Sequence, residues 1–563
     1  MPHNPDPGPR TPDPGAPGGS STSNAGDAER TVVLAARTLQ ALARLHFDLA
    51  PLLAVDHRIR LVYALNEGSD RRQLAERRAL HLGIPFLPWK LAIEEHPDLV
   101  VSASAGPELH EAGAPVALIP HGATYNRLLK GLSGAAGTAR EQLIGADGEL
   151  PAFMAMPGLA AVDQLEADCP EASASAEVTG DLCMERLRRS TPLRRAYREA
   201  LGVAPHRKLV VVSSSWGPYS LTATDRSLPE HLLSVLPADE FAVAYLPHPN
   251  LDADHRGNLL AYMRPRLHNG LIMIPPEEGW RAALIAADCV VGDSGSVTFY
   301  AANLGRPVLL AAFAFEEMAP GSPQEAFGRA AAWLRRGDDP GRQIREAIEE
   351  RSRGSHRPTE FDVRPDHFAE FGDRPDYLTA AWSEPDPGPA GRITARLYEL
   401  LGLSPMASEP ELLELPERLS ECRPMSAWHC DMRLDDDELA WARYPASHPI
   451  GLGRLVVRAE CRVASLRGDA AVFLEHARDH RPDEVKAIAA ELFAEYTQCR
   501  VVSVRIAAGE AIAVLREGAR LRLECDPAVL DTLPAALLLS TTEAALRFRW
   551  VGGVGSAAIS PCS

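Results

Sequence analysis

Residues 286–310, AADCVVGDSGSVTFYAANLGRPVLL, constrain the fold more than any other part of the chain. Cys289 to Val291 is a short apolar run, as expected of a strand buried on both faces. Small and hydroxyl residues follow at Gly292 to Ser296, then a helical stretch, then a second apolar run from Pro307 to Leu310. Strand, turn, helix and strand in that order build a parallel sheet, because parallel neighbours need a crossover connection. A helix starting at Asp293-Ser294-Gly295-Ser296 would point free N–H groups and its positive dipole end at whatever lies above the strand, which makes an anion site, for phosphate above all. Its place at the carboxyl end of a strand is where open α/β sheets bind ligands.

The pentapeptide Gly292 to Ser296 is one residue away from the Gly-Asp-Ser-Gly-Gly around the nucleophile of chymotrypsin-like proteases. Those proteases are all-β and carry a separate Ala-Ala-His-Cys element that this sequence lacks, and a triad is recognised by geometry. Ser296 also breaks the Gly-x-Ser-x-Gly of a nucleophile elbow.

The same alternation of short apolar runs and longer helical patterns recurs along the chain, and it predicts two series of βαβ units. The first has strands at Thr31–Ala36, Arg60–Leu65, Ile84–Leu87, Leu99–Val101 and Pro115–Ile119. Residues 128–177 read as a less regular, mobile lobe. The second series opens with a strand that ends at Glu177–Gly180, has further strands at Lys208–Ser213, Phe241–Leu246, Leu271–Ile274 and the segment above, and ends in an amphipathic helix, Gly391–Leu401. Residues 335–389 read as charged surface loops with a helical patch at 341–351. The expected class is α/β, with two Rossmann-like domains facing a cleft, and the expected divisions are a disordered Pro/Gly-rich tail (1–30), a first domain (31–176), a second domain (177–404) and a separate α+β domain (405–563) of a normal domain size.

Composition excludes some functions. Lys plus Arg is 58 against 76 Asp plus Glu, a net charge of −18, so a nucleic-acid partner is not expected without a basic face. Nine scattered cysteines without a Cys-x-x-Cys pair fit a reduced, cytoplasmic protein better than a zinc ribbon. His429-Cys430-Asp431 and Asp252-Ala253-Asp254 are the nearest approaches to metal sites, and neither spacing is convincing, so no metal is expected. No signal-peptide pattern opens the sequence, and no apolar run nears the roughly twenty residues that cross a bilayer.

Three segments with a bearing on chemistry lie at strand ends: Ile119-Pro120-His121-Gly122, Leu246-Pro247-His248-Pro249, and Ala287-Asp288 through Val297 with Gly305-Arg306-Pro307-Val308. Their order and spacing over residues 95–315 resemble the CDP-glycerol glycerophosphotransferase group of GT-B transferases, with UDP-N-acetylglucosamine 2-epimerases as more distant relatives. Pro120 stands where the group has Trp, the Arg before His-Pro is missing, and Ser294-Gly295 replaces a Tyr-Ser pair. The resemblance implies that His121 is the base on an acceptor hydroxyl, a task suited to imidazole near neutral pH, with Gly122 beside it on the acceptor side. It implies that His248 contacts the donor phosphate or assists the leaving group; two flanking prolines restrain its backbone, and a structural cap is the other reading. Ser294, Gly295 and Ser296 would hold the donor diphosphate, Ser214 and Ser215 would border it, and Asp293 would either cap the helix or contact the donor. Trp216 reads as core or as a stacking platform, and Gly180-Asp181 as a hinge.

The function expected is transfer of a glycosyl or glycerophosphoryl group from a nucleotide-diphosphate donor to a hydroxyl, with that donor as substrate and without a further cofactor. A UDP-sugar epimerase or hydrolase would need acidic residues at the sugar, for which Glu277 and Glu278 are the candidates, and a non-catalytic binding protein is the third reading. The acceptor is open (polymer, metabolite or protein). A polymer would place the enzyme at the inner membrane surface, and the C-terminal domain could pair subunits.

Overall fold

The computed structural model describes residues 29–66, 72–254, 258–275, 278–352, 387–417, 424–435, 438–448, 454–539, 544–550 and 553–562. The expected Pro/Gly-rich tail, residue 277 and most of the 335–389 loops fall outside these. The first sheet holds seven strands: β1 (Arg30–Ala36), β2 (Ile59–Leu65), β3 (Phe86–Pro88), β4 (Leu99–Ser102), β5 (Val116–Leu118), β6 (Phe153–Met156) and β7 (Ala176–Val178). Their order is β3-β2-β1-β4-β5-β6-β7, every neighbour parallel. The central strands are the most apolar because helices cover both faces: Val32 to Ala36 are fully buried.

The second sheet has β8 (Lys208–Ser213), β9 (Phe241–Leu246), β10 (Ile272–Met273), β11 (Cys289–Gly292), β12 (Val308–Leu310) and β13 (Ala332–Trp333). It is parallel throughout, in the order β10-β9-β8-β11-β12-β13. Both sheets thus follow the Rossmann order, reversing direction between β1 and β4 and between β8 and β11. The helix expected after β11 runs Ser296–Asn303.

Two expectations are corrected. Residues 128–177 are not a free lobe: β6, the helix Leu159–Asp168 and β7 complete the first sheet, so the division drawn at 176/177 falls inside a strand. The late helix, Pro389–Leu401, packs Ile393, Leu397 and Leu401 against the first domain's core although it follows the second domain in sequence. Tyr398 seals that return with a hydrogen bond to Asp56 Oδ2 at 3.0 Å.

Residues 427–561 form a closed nine-stranded barrel, so the expected α+β domain is a barrel with helices around it. Its strands are β14 (Ala427–Asp435), β15 (Glu438–Pro445), β16 (Leu455–Arg458), β17 (Val472–Glu475), β18 (Val501–Ala507), β19 (Glu510–Leu515), β20 (Arg520–Glu524), β21 (Ala544–Trp550) and β22 (Gly553–Pro561), paired β14-β15-β21-β22-β20-β19-β18-β17-β16 and back to β14. Trp428, Cys430 and Met432 of β14 join the barrel core with Leu530, Leu533 and Leu537 of the β20–β21 connection. The barrel docks through Arg443, whose Nε donates to Asp239 Oδ1 at 2.7 Å and whose carbonyl accepts from Ala238 N at 2.7 Å. Those partners precede β9, at the amino edge of the second sheet.

A candidate active site in the interdomain cleft

The carboxyl edges of the two sheets face each other across a cavity of about 680 Å³, within the range of small-molecule sites. The loops after β1, β4 and β5 line one side and those after β8, β9 and β11 the other. His121, Gly122, Ser214, Ser215, His248, Ser294, Gly295 and Ser296 all line it. Asp293 does not.

His121 follows β5. Its Nδ1 lies 2.9 Å from the Ala103 carbonyl oxygen. A carbonyl can only accept, so Nδ1 carries the proton, and in the neutral ring Nε2 is left as a bare lone pair. The ring is open to solvent in the cleft yet flanked by protein on all sides. Burial in the cleft lowers its pKa, the Ala103 bond opposes this, and the Arg44 guanidinium adds to the lowering. Gly122 lies close to the second domain: a Cβ there would lie 2.9 Å from Ser296 Oγ.

His248 follows β9. Its Nδ1 accepts from Asn250 N at 3.1 Å, so in the neutral ring the proton sits on Nε2. That nitrogen lies 3.0 Å from the Gln40 side-chain amide of the first domain, and a donor there requires the amide oxygen to face it. His248 is therefore set as a hydrogen-bond donor and His121 as an acceptor.

Asp293 is fully buried, and neither expected role holds. The residue before the helix is Gly295, and no side chain caps that end. Instead, Asp293 Oδ2 accepts from Ser215 N (2.8 Å), Ser215 Oγ (2.9 Å) and Leu221 N (2.8 Å), while Oδ1 accepts from Gly295 N (3.0 Å). It ties the loop after β8 to the loop after β11 from beneath. Burial raises its pKa, and the three backbone donors oppose the rise. The Ser215 hydroxyl is spent on this knot, and that of Ser214 donates to Ser215 O at 3.0 Å and accepts from Thr222 N at 3.0 Å. Ser294 and Ser296 have no side-chain partner among the described residues, and the N–H groups of the first helical turn point to the cleft side without intrahelical acceptors.

Trp216 belongs to no core cluster. It borders the cleft half-buried, with the Arg127 guanidinium 4.5 Å from its ring centre and His248 at 6.1 Å. Arg127 comes from the first domain, and its side chain also pairs with Glu317 at 2.6 Å. Next to it, Leu128 N donates to Glu317 O at 2.8 Å and Ala319 N to Asn126 O at 2.7 Å, so this loop roofs the cleft. Gln324 bonds Asn126 and the Ser294 carbonyl.

The cleft floor is an ion-pair cluster that the sequence reading missed. Asp48 accepts from Arg44 (3.1 Å), Arg186 (2.8 Å) and Arg281 (2.9 Å). Burial alone would raise its pKa, but the three guanidinium groups outweigh burial and hold it below the ordinary value. Tyr300 receives a hydrogen bond from Arg44 at 2.9 Å and donates to Asp181 at 3.1 Å. Asp181 itself caps the helix Leu182–Ser190 through Met184 N at 2.7 Å. The signal for Arg44 was available: it stands in the apolar series Leu42, Leu45, Leu49, where a charge needs a partner.

The weaker metal candidates do not come together. His429 and Asp431 alternate with inward-facing Cys430 on β14, so adjacent residues face opposite ways; the side chains of Asp252 and Asp254 lie outside the described ones. No His/Cys/Asp/Glu cluster suited to a metal occurs among the described residues. Nor does any described helix have the length and apolarity to cross a membrane.

A Ser–His–Asp chain does occur in the barrel: His476 lies 2.6 Å from Asp531 Oδ1 and 2.9 Å from Ser503 Oγ. Ser503 is fully buried in the middle of β18, between β17 and β19. Its ladder-bound backbone offers no donors for an oxyanion, so the chain pins the β20–β21 connection, which carries Asp531, into the barrel.

Neither a protein-family model nor a curated protein matches the sequence. Among solved structures, the chain is similar to the wall teichoic acid polymerase TagF soaked with CDPG, at 12% identity and a TM-score of 0.40 over 68% of this chain and 91% of that one. It is similar to S. aureus MnaA in a co-structure with UDP (12%, TM-score 0.37, 68% and 100%) and to the UDP-GlcNAc 2-epimerase from Methanocaldococcus jannaschii (12%, TM-score 0.35, 57% and 92%). The strand orders and the cleft between them carry the fold assignment. The architecture is GT-B. The barrel lies on the far side of the second domain, and none of its described residues borders the cleft.

Proposed function

We propose that the chain transfers a glycosyl or glycerophosphoryl group from a nucleotide-diphosphate donor to an acceptor hydroxyl. The observation that carries this reading is that His121, a proton-accepting imidazole, and the uncapped start of the Ser296–Asn303 helix line one cleft, with no room for a side chain between Gly122 and Ser296. His121 Nε2 would take the acceptor proton as the oxygen attacks the donor. The bond from the transferred group to the nucleotide's phosphate then breaks, and the nucleoside phosphate leaves. Its new charge would meet the N–H groups of the Ser296 helix and the Ser294 and Ser296 hydroxyls, joined by His248 Nε2–H once it exchanges the Gln40 amide for the donor phosphate, an arrangement that stabilises a leaving anion without a metal.

Of the two acids named for the epimerase alternative, Glu278 is paired with Arg281 and is not among the residues that line the cleft. The deciding experiment is a panel of CDP-, UDP-, GDP- and dTDP-compounds read by melting temperature, since a bound ligand stabilises by mass action. One base should raise Tm, and that donor should turn over with the wild-type chain while His121→Ala keeps the Tm shift and loses about 10²–10⁴-fold in rate. No shift with any compound, or full activity in His121→Ala, would sink the reading.

A further inference from the structure

The chemistry of the acceptor is written in the charges of the cleft. Five described residues with fixed charge border it: Arg37, Arg44, Arg127, Arg281 and Glu317. Each arginine already faces a carboxyl group. Arg37 Nε sits 3.1 Å from Glu108, and Arg127 holds Glu317 at 2.6 Å. Arg44, Arg186 and Arg281 share Asp48, with Asp181 3.7 Å from Arg44 and Glu278 paired with Arg281, so three carboxyl groups meet three guanidinium groups. Two of these pairs, at Asp48, are buried among protein, where taking a guanidinium away strands a charge.

The first domain's side of the cleft is otherwise apolar or neutral, with Leu39, Ala105, Pro120, Tyr125, Leu129 and Ala136 along it. Leu129 is 39% exposed, a large apolar side chain left open on the cleft wall. Polyanions bind by releasing counterions to unpaired cations, and this wall offers none among its described residues. An anionic acceptor would have to break existing ion pairs or lose its hydration against apolar atoms. A neutral acceptor with an apolar face would bury Leu129 and Tyr125 and keep its hydroxyl toward His121.

We propose that the acceptor is an uncharged, partly apolar hydroxyl compound and not a phosphate-bearing polymer; this rests on the transferase reading above. The test measures binding of two probes to the full chain, 4-nitrophenyl β-glucoside and a short glycerol-phosphate oligomer. Each is measured with and without the nucleotide that raises Tm most, at about 50 and 200 mM salt. The aryl glucoside should bind with the same affinity at both salt concentrations, and the oligomer should not bind. Leu129→Asp should weaken the glucoside roughly tenfold or more while the nucleotide shift persists. The oligomer binding with a steep loss between the two salts, or neither probe binding, overturns the proposal. If no nucleotide shifts Tm, the transferase reading falls by itself, and the nucleotide-free measurements still decide the character of the wall.

Discussion

At the residue scale, the Ala103 carbonyl decides which nitrogen of His121 can accept a proton. Burial and Arg44 keep the ring neutral below its ordinary pKa of 6.5. Turnover should therefore rise with pH through a value below 6.5 and stay level above it, and a kcat/KM profile with its acidic limb above 6.5 would contradict the assignment. Stability follows with the same sign. The unfolded ring binds a proton more readily than the folded one, so this group's contribution is complete above about pH 6.5 and is lost as pH falls through the folded value. Asp293 gives a second prediction. Asp293→Ala would leave the N–H groups of Ser215, Leu221 and Gly295 without their acceptor, the buried Leu221 N–H costing about 1–3 kcal/mol unsatisfied, and should lower the denaturation midpoint and abolish the nucleotide shift together. An Asp that touched only ligand would lose the shift and keep the midpoint. The residue types at these strand ends were legible in the sequence. The direction of Asp293 was not, because its four donors come from residues 215, 221 and 295.

At the element scale, β1, β4, β8, β9 and β11 could be read because each is a run of buried apolar residues, a property of the strand itself. β6 escaped notice, because Phe153–Met156 is four residues in an Ala- and Gly-rich stretch, and β7 reads in the sequence as a strand ending at Glu177–Gly180 that opens the second series, whereas Ala176–Val178 pairs with β6 at the edge of the first sheet. β14 shows inward Trp428, Cys430 and Met432 in alternation, but its His, Cys and Asp drew attention as chemistry instead of as a period-2 pattern. The barrel's triad-like chain tests the same lesson in reverse. A fluorophosphonate probe should leave Ser503 unlabelled in the folded protein, and Ser503→Ala should lower stability by about 1–3 kcal/mol through the loss of His476's partner. Rapid labelling at Ser503 would show that the β20–β21 connection opens and the buried reading is wrong.

At the scale of the whole molecule, the two GT-B domains are joined by charge. Asp48 sits beneath the cleft with three arginines, two of them from across the domain boundary. Replacing a buried pair by apolar residues can be neutral, whereas removing one partner costs about 3–5 kcal/mol. Asp48→Ala should thus lower the unfolding free energy by that order and weaken nucleotide stabilisation, since the cleft walls lose their common anchor. An unchanged denaturant midpoint would mean that the cluster is solvated and does not join the domains. The barrel stands apart from this machinery, held at the amino edge of the second sheet through Arg443 and Asp239.

The sequence alone determined the two parallel sheets, the strand-end placing of His121, His248 and Ser294 to Ser296, and the segment 286–310 as a strand, a turn, a helix start and a second strand. Those are local matters: burial on both faces, turn residues and helix period are written within a dozen neighbouring positions. Tertiary structure decided the pairing of the edge strands, the return of Pro389–Leu401 to the first domain and the closure of the barrel. It also decided the inward turn of Asp293 and the pairing of every fixed charge described in the cleft. Each of these depends on partners distant in sequence, as with Asp48 and Arg281, 233 positions apart, and no periodicity in the chain encodes which distant charge a buried arginine will meet.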